Sequence, residues 1–250
     1  MGVDLQKADV WKRVAAWLLD IMLVCVLAVG IGALLSFIMD YDGKMAQFET
    51  GYNQYIQRYE LQDVDIYNPA NEEEAERIRQ AEEAMVSDTA LLKLENQLRN
   101  MMLLIVTFSL FITLVLLEFV VPLLLKNGQT VGKKVFSMGL VRIDGVQVSG
   151  FQLFVRAVLG KFTVETMVPI YAVVMALSGT MGLTAVILLG GLVIGQVICI
   201  AATKCNCALH DQMAGTAVVD IASQKVFGSS QELIEYTKRI HAEEAKRKDY

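Results

Sequence analysis

Three acidic residues, Asp20, Glu118 and Glu165, lie inside stretches of the sequence that are otherwise strongly apolar. An ionisable side chain at the centre of a membrane helix costs about 2.5–3.5 kcal/mol even on the most lenient scale, so such residues usually have a function or an ionic partner. Desolvation favours the neutral acid, whereas a bound cation favours the carboxylate. The three residues therefore predict a site that can exchange a proton for a small cation.

Three basic residues, Arg13, Arg156 and Lys161, lie near the ends of the same apolar stretches. Lys161 precedes Glu165 by four positions, a spacing that permits pairing on one helix. Arg13 precedes Asp20 by seven positions, which places both on one helix face but too far apart for a direct pair. An equally open interpretation is therefore structural, with the carboxylates and the basic residues pairing only to hold the helices together.

Four apolar stretches can position these groups in a bilayer, because a helix needs about 20 mainly apolar residues to cross about 30 Å of hydrocarbon. A hydrophobic fraction of 54% in 250 residues also fits a compact membrane bundle better than a soluble domain. A turn at 178–182 makes the last two stretches an antiparallel hairpin. We predict an all-α polytopic membrane protein with four transmembrane helices, at about 14–39, 101–125, 162–178 and 181–203.

Basic residues are unevenly distributed along the chain. Segment 1–13 carries three, 126–161 carries six and the tail from 204 carries seven, whereas 40–100 carries six against fourteen Asp and Glu. Because Lys and Arg near a span resist translocation, we expect both termini, the loop 126–161 and the tail 221–250 in the cytoplasm, and 40–100 outside. The three carboxylates then lie at one level, about 8–11 Å from the cytoplasmic ends of their helices.

The two long connections have local order of their own. In the acidic segment 40–100, Asn71 is a predicted N-cap, and acidic residues follow it where the helix dipole favours them. This segment is therefore an extracytoplasmic helical insertion, with a helix that starts at about 72 and runs into the second span. In the loop 126–161, alternating residues around Asp144-Gly145 predict a small cytoplasmic β-hairpin between Phe136 and Val148.

Two other motifs give little support to further chemistry. The segment 128–134 lacks the spacing and the Ser or Thr of a phosphate-binding loop, so we expect a turn that presents its two lysines to lipid head groups. Cys205, Cys207 and His210 are zinc-ligand types, but Cys-x-Cys is not the usual spacing. We expect no metal, no cofactor, no nucleic-acid partner, no disulfide framework and no enzymatic activity.

Three ordered segments resemble the RDD family of bacterial integral membrane proteins, which is named for one arginine and two aspartates. In the resemblance Arg13 is the arginine, Asp20 is the first aspartate and Asp211 is the second. It spans roughly 7–220, and the insertion 40–100 is longer than expected of the family. The matching segments are Trp11 to Asp20, Asn127 to Lys134, Val141 to Gly145 with Arg156, and Leu209 to Thr216.

The resemblance implies a multi-pass protein of the bacterial plasma membrane. Transport of small solutes is the usual suggestion for the family, and some members are described as antiporters of sodium or other monovalent cations against protons. We therefore expect a small transporter in which Asp20 titrates, Glu118 and Glu165 are supporting ligands, and the bilayer, cations and protons are the partners. Because four spans are few for a transporter, a homo-oligomer is also expected.

A second function stays open, a non-transporting membrane partner or scaffold whose acidic outer segment 40–100 binds another envelope protein. In either function, Asp211 follows the fourth span at the boundary where Arg13 precedes the first. If those two helices are neighbours, Arg13 and Asp211 form a structural or gating charge pair. Arg156 and Lys161 are then the remaining supporting charges.

Overall fold

The computed structural model describes residues 5–125, 127–177, 182–203 and 205–248. The chain divides into two compact units. We call Met1–Ala28 with Leu110–Tyr250 the bundle unit, and Val29–Ser109 the insertion unit. Each unit has its own hydrophobic core.

The secondary structure of the described residues is mainly helical. The strands are β1 (Met138–Arg142) and β2 (Thr216–Asp220). In chain order the helices are α1 (Val10–Ile38), α2 (Tyr41–Arg58), α3 (Glu72–Ser87), α4 (Thr89–Leu124), α5 (Val131–Val135), α6 (Gly150–Ala176), α7 (Gly182–Ala202), α8 (Leu209–Ala214) and α9 (Ser230–Lys248).

Within the described ranges, four helices, α1, α4, α6 and α7, are long and apolar enough to cross a membrane. The third begins at Gly150 rather than at the predicted 162, because Ser149 and Gln152 form a reciprocal capping box at its start. The end of α6 packs against α7, as expected of a hairpin. Of the predicted turn at 178–182, residues 178–181 lie outside the described residues, and Gly182 begins α7.

Two of the long helices contain wide, π-helical turns, which were not predicted from the sequence. These are Val115–Val120 in α4 and Val155–Met167 in α6. In the second segment, the Thr163 and Thr166 hydroxyls donate to backbone carbonyls five residues earlier, at 2.9 and 2.8 Å. π-helical turns are rare and are frequent at functional sites.

The sheet differs from the predicted hairpin in its strand partner. The predicted hairpin forms in part: the Gly145 N–H donates to the Arg142 carbonyl at 2.9 Å, and an antiparallel bridge joins Val141 to Gln147. The principal partner of β1 is nevertheless β2, which pairs antiparallel with Met138 opposite Asp220. Both strands are largely buried, so their apolar residues gain more from packing together than from a short local hairpin.

The insertion unit is a small helical body rather than a single extended helix. The Asn71 side chain accepts from the Glu74 N–H at 2.8 Å, which confirms the predicted cap. The expected continuous helix from 72 into the second span is wrong, because the chain breaks at Asp88. The Asp88 carboxylate starts α4 by accepting from the Ala90 and Leu91 N–H groups, at 2.9 and 3.1 Å.

Candidate functional site

Buried charged side chains of the bundle unit converge from α1, α4, α6 and α8. Asp20, Glu118, Arg156 and Asp211 come from four different helices, and each is at most 9% exposed. The short helix α8 packs against the π-helical part of α6, which brings Asp211 towards Arg156. Because a buried charge is costly unless it is paired or hydrogen-bonded, the partner of each group defines the site.

Asp20 is held by the start of α5 and not by a basic residue of the other spans. Its Oδ2 accepts from the Thr130 hydroxyl at 2.6 Å, and its Oδ1 accepts from the Gly132 backbone N–H at 2.8 Å. The Lys133 Nζ is 4.0 Å from Oδ2 and donates to the Thr130 Oγ1 at 3.2 Å. Asp20 therefore ties α1 to the short helix α5.

Gly132 makes this contact possible because it has no side chain. A Cβ at this position would meet the Ala16 carbonyl oxygen directly and would lie 2.9 Å from the Asp20 Cγ. Protein interiors do not tolerate such overlaps without movement of the backbone. Glycine thus allows the backbone of α5 to approach α1 closely enough to donate to the carboxylate.

Arg156 is the centre of a second network and is 1% exposed. Its Nε donates to the Asp211 Oδ1 at 2.8 Å, its Nη1 is 3.5 Å from the Glu118 Oε2, and its Nη2 is 2.9 Å from the His210 Nε2. A guanidinium only donates hydrogen bonds. The three contacts therefore use all three nitrogens of Arg156 and connect α4, α6 and α8.

The contact with Arg156 also fixes the protonation of His210. Because the guanidinium donates, the His210 Nε2 must accept, and the ring proton lies on Nδ1. The Nδ1–H then donates to the two Glu165 carboxylate oxygens, at 2.8 and 2.9 Å. Burial lowers the pKa of His210, which agrees with a neutral imidazole that links Arg156 to Glu165.

Glu118 is paired on both sides. The Lys161 Nζ contacts its Oε1, and Arg156 lies at its other oxygen. The Lys161–Glu165 pair that the spacing permits does not form among the described residues, because Lys161 contacts Glu118 and both Glu165 oxygens accept from His210. Lys161 therefore pairs with α4 rather than with its own helix.

The predicted Arg13–Asp211 ion pair is also wrong. The Arg13 Nη2 donates to the Asn206 carbonyl oxygen at 2.9 Å, and Asp211 is bound by Arg156 and by the Thr216 hydroxyl, the latter at 3.1 Å. Asp211 lies at the start of α8, which packs on α6, so an arginine of α6 reaches it first. Arg13 and Asp211 do line the same cavity.

Two cavities meet at these charges. The first has a volume of about 390 Å³ and is lined by four basic side chains, Arg13, Lys133, Arg156 and Lys161, and three carboxylates, Asp20, Glu165 and Asp211. The second has a volume of about 510 Å³, and its charged lining is Asp20, Glu118, Glu165 and Lys161. Asp20, Glu165 and Lys161 border both, so they form part of the partition between a more basic and a more acidic space.

Lys133 was expected to face lipid head groups, but its side chain is buried, whereas Lys134 is exposed. Burial, reinforced by the positive charge of Arg156, lowers the pKa of the Lys133 amine to about 7. For Asp211, burial alone would raise the pKa, but the adjacent Arg156 charge outweighs it and holds the pKa below its usual range. The amine and the carboxylate thus respond in opposite ways to neighbouring positive charge.

The cysteine segment also differs from expectation. Cys205 and Cys207 are joined by a disulfide, with their Cα atoms 5.2 Å apart. Asn206 between them has a positive φ of 51°, and its carbonyl is the acceptor for Arg13. With both sulfurs bonded to each other, neither thiolate is a metal ligand. In the described part of the chain, no group of three or more His, Cys, Asp or Glu residues is arranged to hold a metal.

Four residues of the site were not assigned a role from the sequence. Thr130 and Gly132 bind Asp20, His210 bridges Arg156 and Glu165, and Gly160 lets α8 approach α6, since a Cβ there would lie 2.6 Å from the His210 Cβ. Three of these four residues lie in the segments that carried the family resemblance, which could have singled them out. Their roles could not be inferred, because they depend on contacts between segments that are distant in sequence.

The comparisons with known proteins agree with those segments. A family model described as the RDD family matches residues 7–215, which include every charged residue of the two networks. No curated protein and no solved structure matches the chain. The family match therefore rests on the region that contains the converging charges.

Proposed function

Since this chain belongs to the RDD family of membrane proteins, we propose that it is a small transporter that exchanges monovalent cations for protons through Asp20. One observation carries the proposal. Asp20 is a buried carboxylate that borders both cavities, and its hydrogen-bond donors are a neutral hydroxyl and a backbone N–H. Such a carboxylate can accept a proton or a cation without first breaking a close ion pair.

The other carboxylates of the site are less available. Glu118 contacts Lys161 and Arg156, Asp211 contacts Arg156, and both oxygens of Glu165 accept from His210. Removing a buried carboxylate from such partners leaves an unpaired charge, which is strongly unfavourable. We assign Glu118 and Glu165 a supporting role, in which they keep the second cavity acidic.

The second cavity is the proposed location of the cation. Three carboxylates and one amine contribute to its lining, so the cavity favours positive charge. Arg156 is a positioning residue, because its contacts fix Glu118 and Asp211 on one side of the partition. Lys161 limits the negative charge of the cavity and thereby favours a monovalent over a divalent cation.

The proposed orientation follows the distribution of basic residues. Both termini lie on the cytoplasmic side of the bacterial plasma membrane, because Lys and Arg are concentrated in 1–13, in 126–161 and after 204. The acidic insertion 40–100 then lies outside, and the β1–β2 sheet lies in the cytoplasm. We propose that the active form is a homo-oligomer, since four spans give one chain few helices with which to enclose a pathway.

The test is dissipation of a pH gradient in proteoliposomes on addition of sodium, potassium or lithium. Asp20→Asn keeps a side chain of similar size but cannot exchange a proton, so we expect cation-dependent dissipation to be lost. Asp144→Asn is the matched control, because Asp144 lies in the β-turn and pairs with Arg142 at a partly exposed position. We expect this control to exchange at the parent rate.

Lack of dissipation by folded parent protein with every cation would refute the exchange proposal. The function to adopt would then be the membrane partner or scaffold. One observation favours that second candidate, the independent core of the insertion unit around Leu61, Ile78 and Ala81. A crosslinked envelope protein that is lost when 40–87 is deleted would support it.

A further inference from the structure

Arg13 is a cation without a carboxylate partner among the described residues. The one hydrogen bond that its side chain makes there is to the neutral Asn206 carbonyl, at 2.9 Å. A guanidinium carries five N–H donors, so Arg13 keeps most of its donors for a ligand. The side chain lines the first cavity, which is therefore the space that such a ligand would occupy.

The carboxylates of that cavity are already bound elsewhere. Asp20 accepts from α5, Glu165 accepts from His210, and Asp211 accepts from Arg156 and from Thr216. The lining contains four basic side chains against three carboxylates. Glu118, which lies outside this lining, is a further counter-ion of Arg156 and Lys161, so the cluster as a whole is balanced. Arg13 is the lining cation with no carboxylate at ion-pair distance in the described part of the chain, and its interaction with Asp211 is a longer-range one.

Lys133 supplies a second donor from a different element. Its Nζ donates to the Thr130 Oγ1 at 3.2 Å and is 4.0 Å from the nearest Asp20 oxygen, so the amine has no close ion pair in the described part of the chain. The residue is 7% exposed. An anion between Arg13 and Lys133 would give both side chains charge-assisted hydrogen bonds.

The edge of the cavity is apolar and open. Val10, Val14 and Trp17 of α1 and Ile200 of α7 line it, and each of these side chains is at least 40% exposed. A free inorganic anion would gain nothing from them, whereas an acyl chain would cover them. A tryptophan beside basic residues is also typical of the boundary between hydrocarbon and head groups.

We propose that Arg13 and Lys133 bind a phosphate group in the first cavity, and that an anionic phospholipid supplies it. A phosphodiester offers oxygen acceptors to the free N–H donors of Arg13 and to the Lys133 amine. Arg13 and Lys133 do not line the second cavity, where the cation is proposed to lie, and the two sites adjoin at Asp20, 4.0 Å from the Lys133 Nζ. Its acyl chains lie along the exposed apolar residues of α1 and α7.

The experiment is native mass spectrometry of full-length protein with phosphatidylglycerol or phosphatidylcholine. We expect the parent to retain phosphatidylglycerol preferentially and Arg13→Gln to reduce its occupancy about tenfold, as expected for a lost charge-assisted contact. Lys12→Gln is the matched control, because it removes the same charge one residue away, where Lys12 pairs with Asp220 at the surface. It should change the occupancy less than about twofold.

A second arm identifies the source of the phosphate by calorimetric titration with inorganic phosphate. Binding by the parent and by Lys12→Gln, but not by Arg13→Gln, would assign the site to a soluble phosphate compound. Should Arg13→Gln fail to fold, Lys133→Gln is compared with Lys134→Gln, and only the first should lose the lipid. The proposal is wrong if each variant loses as much bound phosphatidylglycerol and inorganic phosphate as its control does, that is, Arg13→Gln as much as Lys12→Gln, or Lys133→Gln as much as Lys134→Gln.

Discussion

The two units of the chain use ion pairs at the same distances but in opposite surroundings. In the insertion unit, Arg79 pairs with Glu76 and Glu83 at 2.7 and 2.9 Å, and all three side chains are at least 48% exposed. In the bundle unit, Arg156 pairs with Asp211 at 2.8 Å, and both side chains are at most 2% exposed. The distance alone therefore does not tell what a pair contributes.

Burial determines what happens when one partner is removed. Water and salt replace an exposed partner at little cost, so surface pairs stabilise proteins weakly. A buried charge that loses its partner has no such replacement, and its desolvation is left uncompensated. The buried charges of the bundle unit should thus be sensitive to single substitutions, whereas the exposed charges on α3 should not.

The largest expected effect comes from Arg156→Gln. This variant leaves Glu118 and Asp211 without their guanidinium partner and disturbs His210, so the free energy of unfolding should fall by about 3–5 kcal/mol. The measurement is thermal or chemical unfolding in detergent. Arg79→Gln is the control in the insertion unit and should unfold like the parent. An equal loss of stability in Arg156→Gln and Arg79→Gln would contradict the expected difference between buried and exposed ion pairs.

A smaller effect is expected from Gly160→Ala, which probes packing between α6 and α8. The added Cβ would lie 2.6 Å from the His210 Cβ and 2.8 Å from its Cα, so overpacking should destabilise the protein by about 1–3 kcal/mol. Gly190→Ala on α7 is the matched control, because a Cβ there meets nothing within 4 Å. Unfolding midpoints of both variants check this, and a neutral Gly160→Ala would contradict the tight α6–α8 contact.

Lys133→Met tests whether a buried charge, unlike an exposed one, makes the free energy of unfolding depend on pH. The pKa of Lys133 is lowered from 10.5 to about 7, so between these values the unfolded chain binds a proton that the folded chain has lost. The free energy of unfolding should therefore rise with pH across this window, by at most about 1.4 kcal/mol per pH unit from this group.

This contribution should be absent from Lys133→Met and should persist in Lys134→Met, whose lysine is exposed. Urea unfolding between pH 7 and 9.5 compares the three proteins. An identical pH slope in the parent and in Lys133→Met would mean that the buried amine does not titrate in this window.

The apolar helices, and the presence of acidic residues within them, could be predicted from the sequence. An ionisable residue in an apolar stretch stands out because its cost is high wherever the helix lies, and a cap such as Asn71 depends only on residues nearby. The start of α6 was missed because Arg156 and Lys161 reduce the hydropathy of its first turns. The capping residues Ser149 and Gln152 were the local signal for it.

The pairings could not be predicted, because they depend on which elements pack together. Spacing permitted Lys161–Glu165 and proximity to the boundary favoured Arg13–Asp211, but the packing of α6 against α4 and α8 brings other partners closer. The partner of β1 was missed for a similar reason, since β2 follows two membrane helices later in the chain. Local alternation identifies a strand but not its distant neighbour.

The position of β2 has a consequence for shortened forms of the protein. β2 pairs with β1 on one side and bridges Lys7 at Val219, while the Asp220 N–H donates to the Gln6 carbonyl at 3.1 Å. A fragment that ends after α8 would leave β1 as an open edge strand, which invites aggregation. It would also remove the contacts that hold the N-terminal segment before α1, so a C-terminal deletion would destabilise the N-terminal region as well.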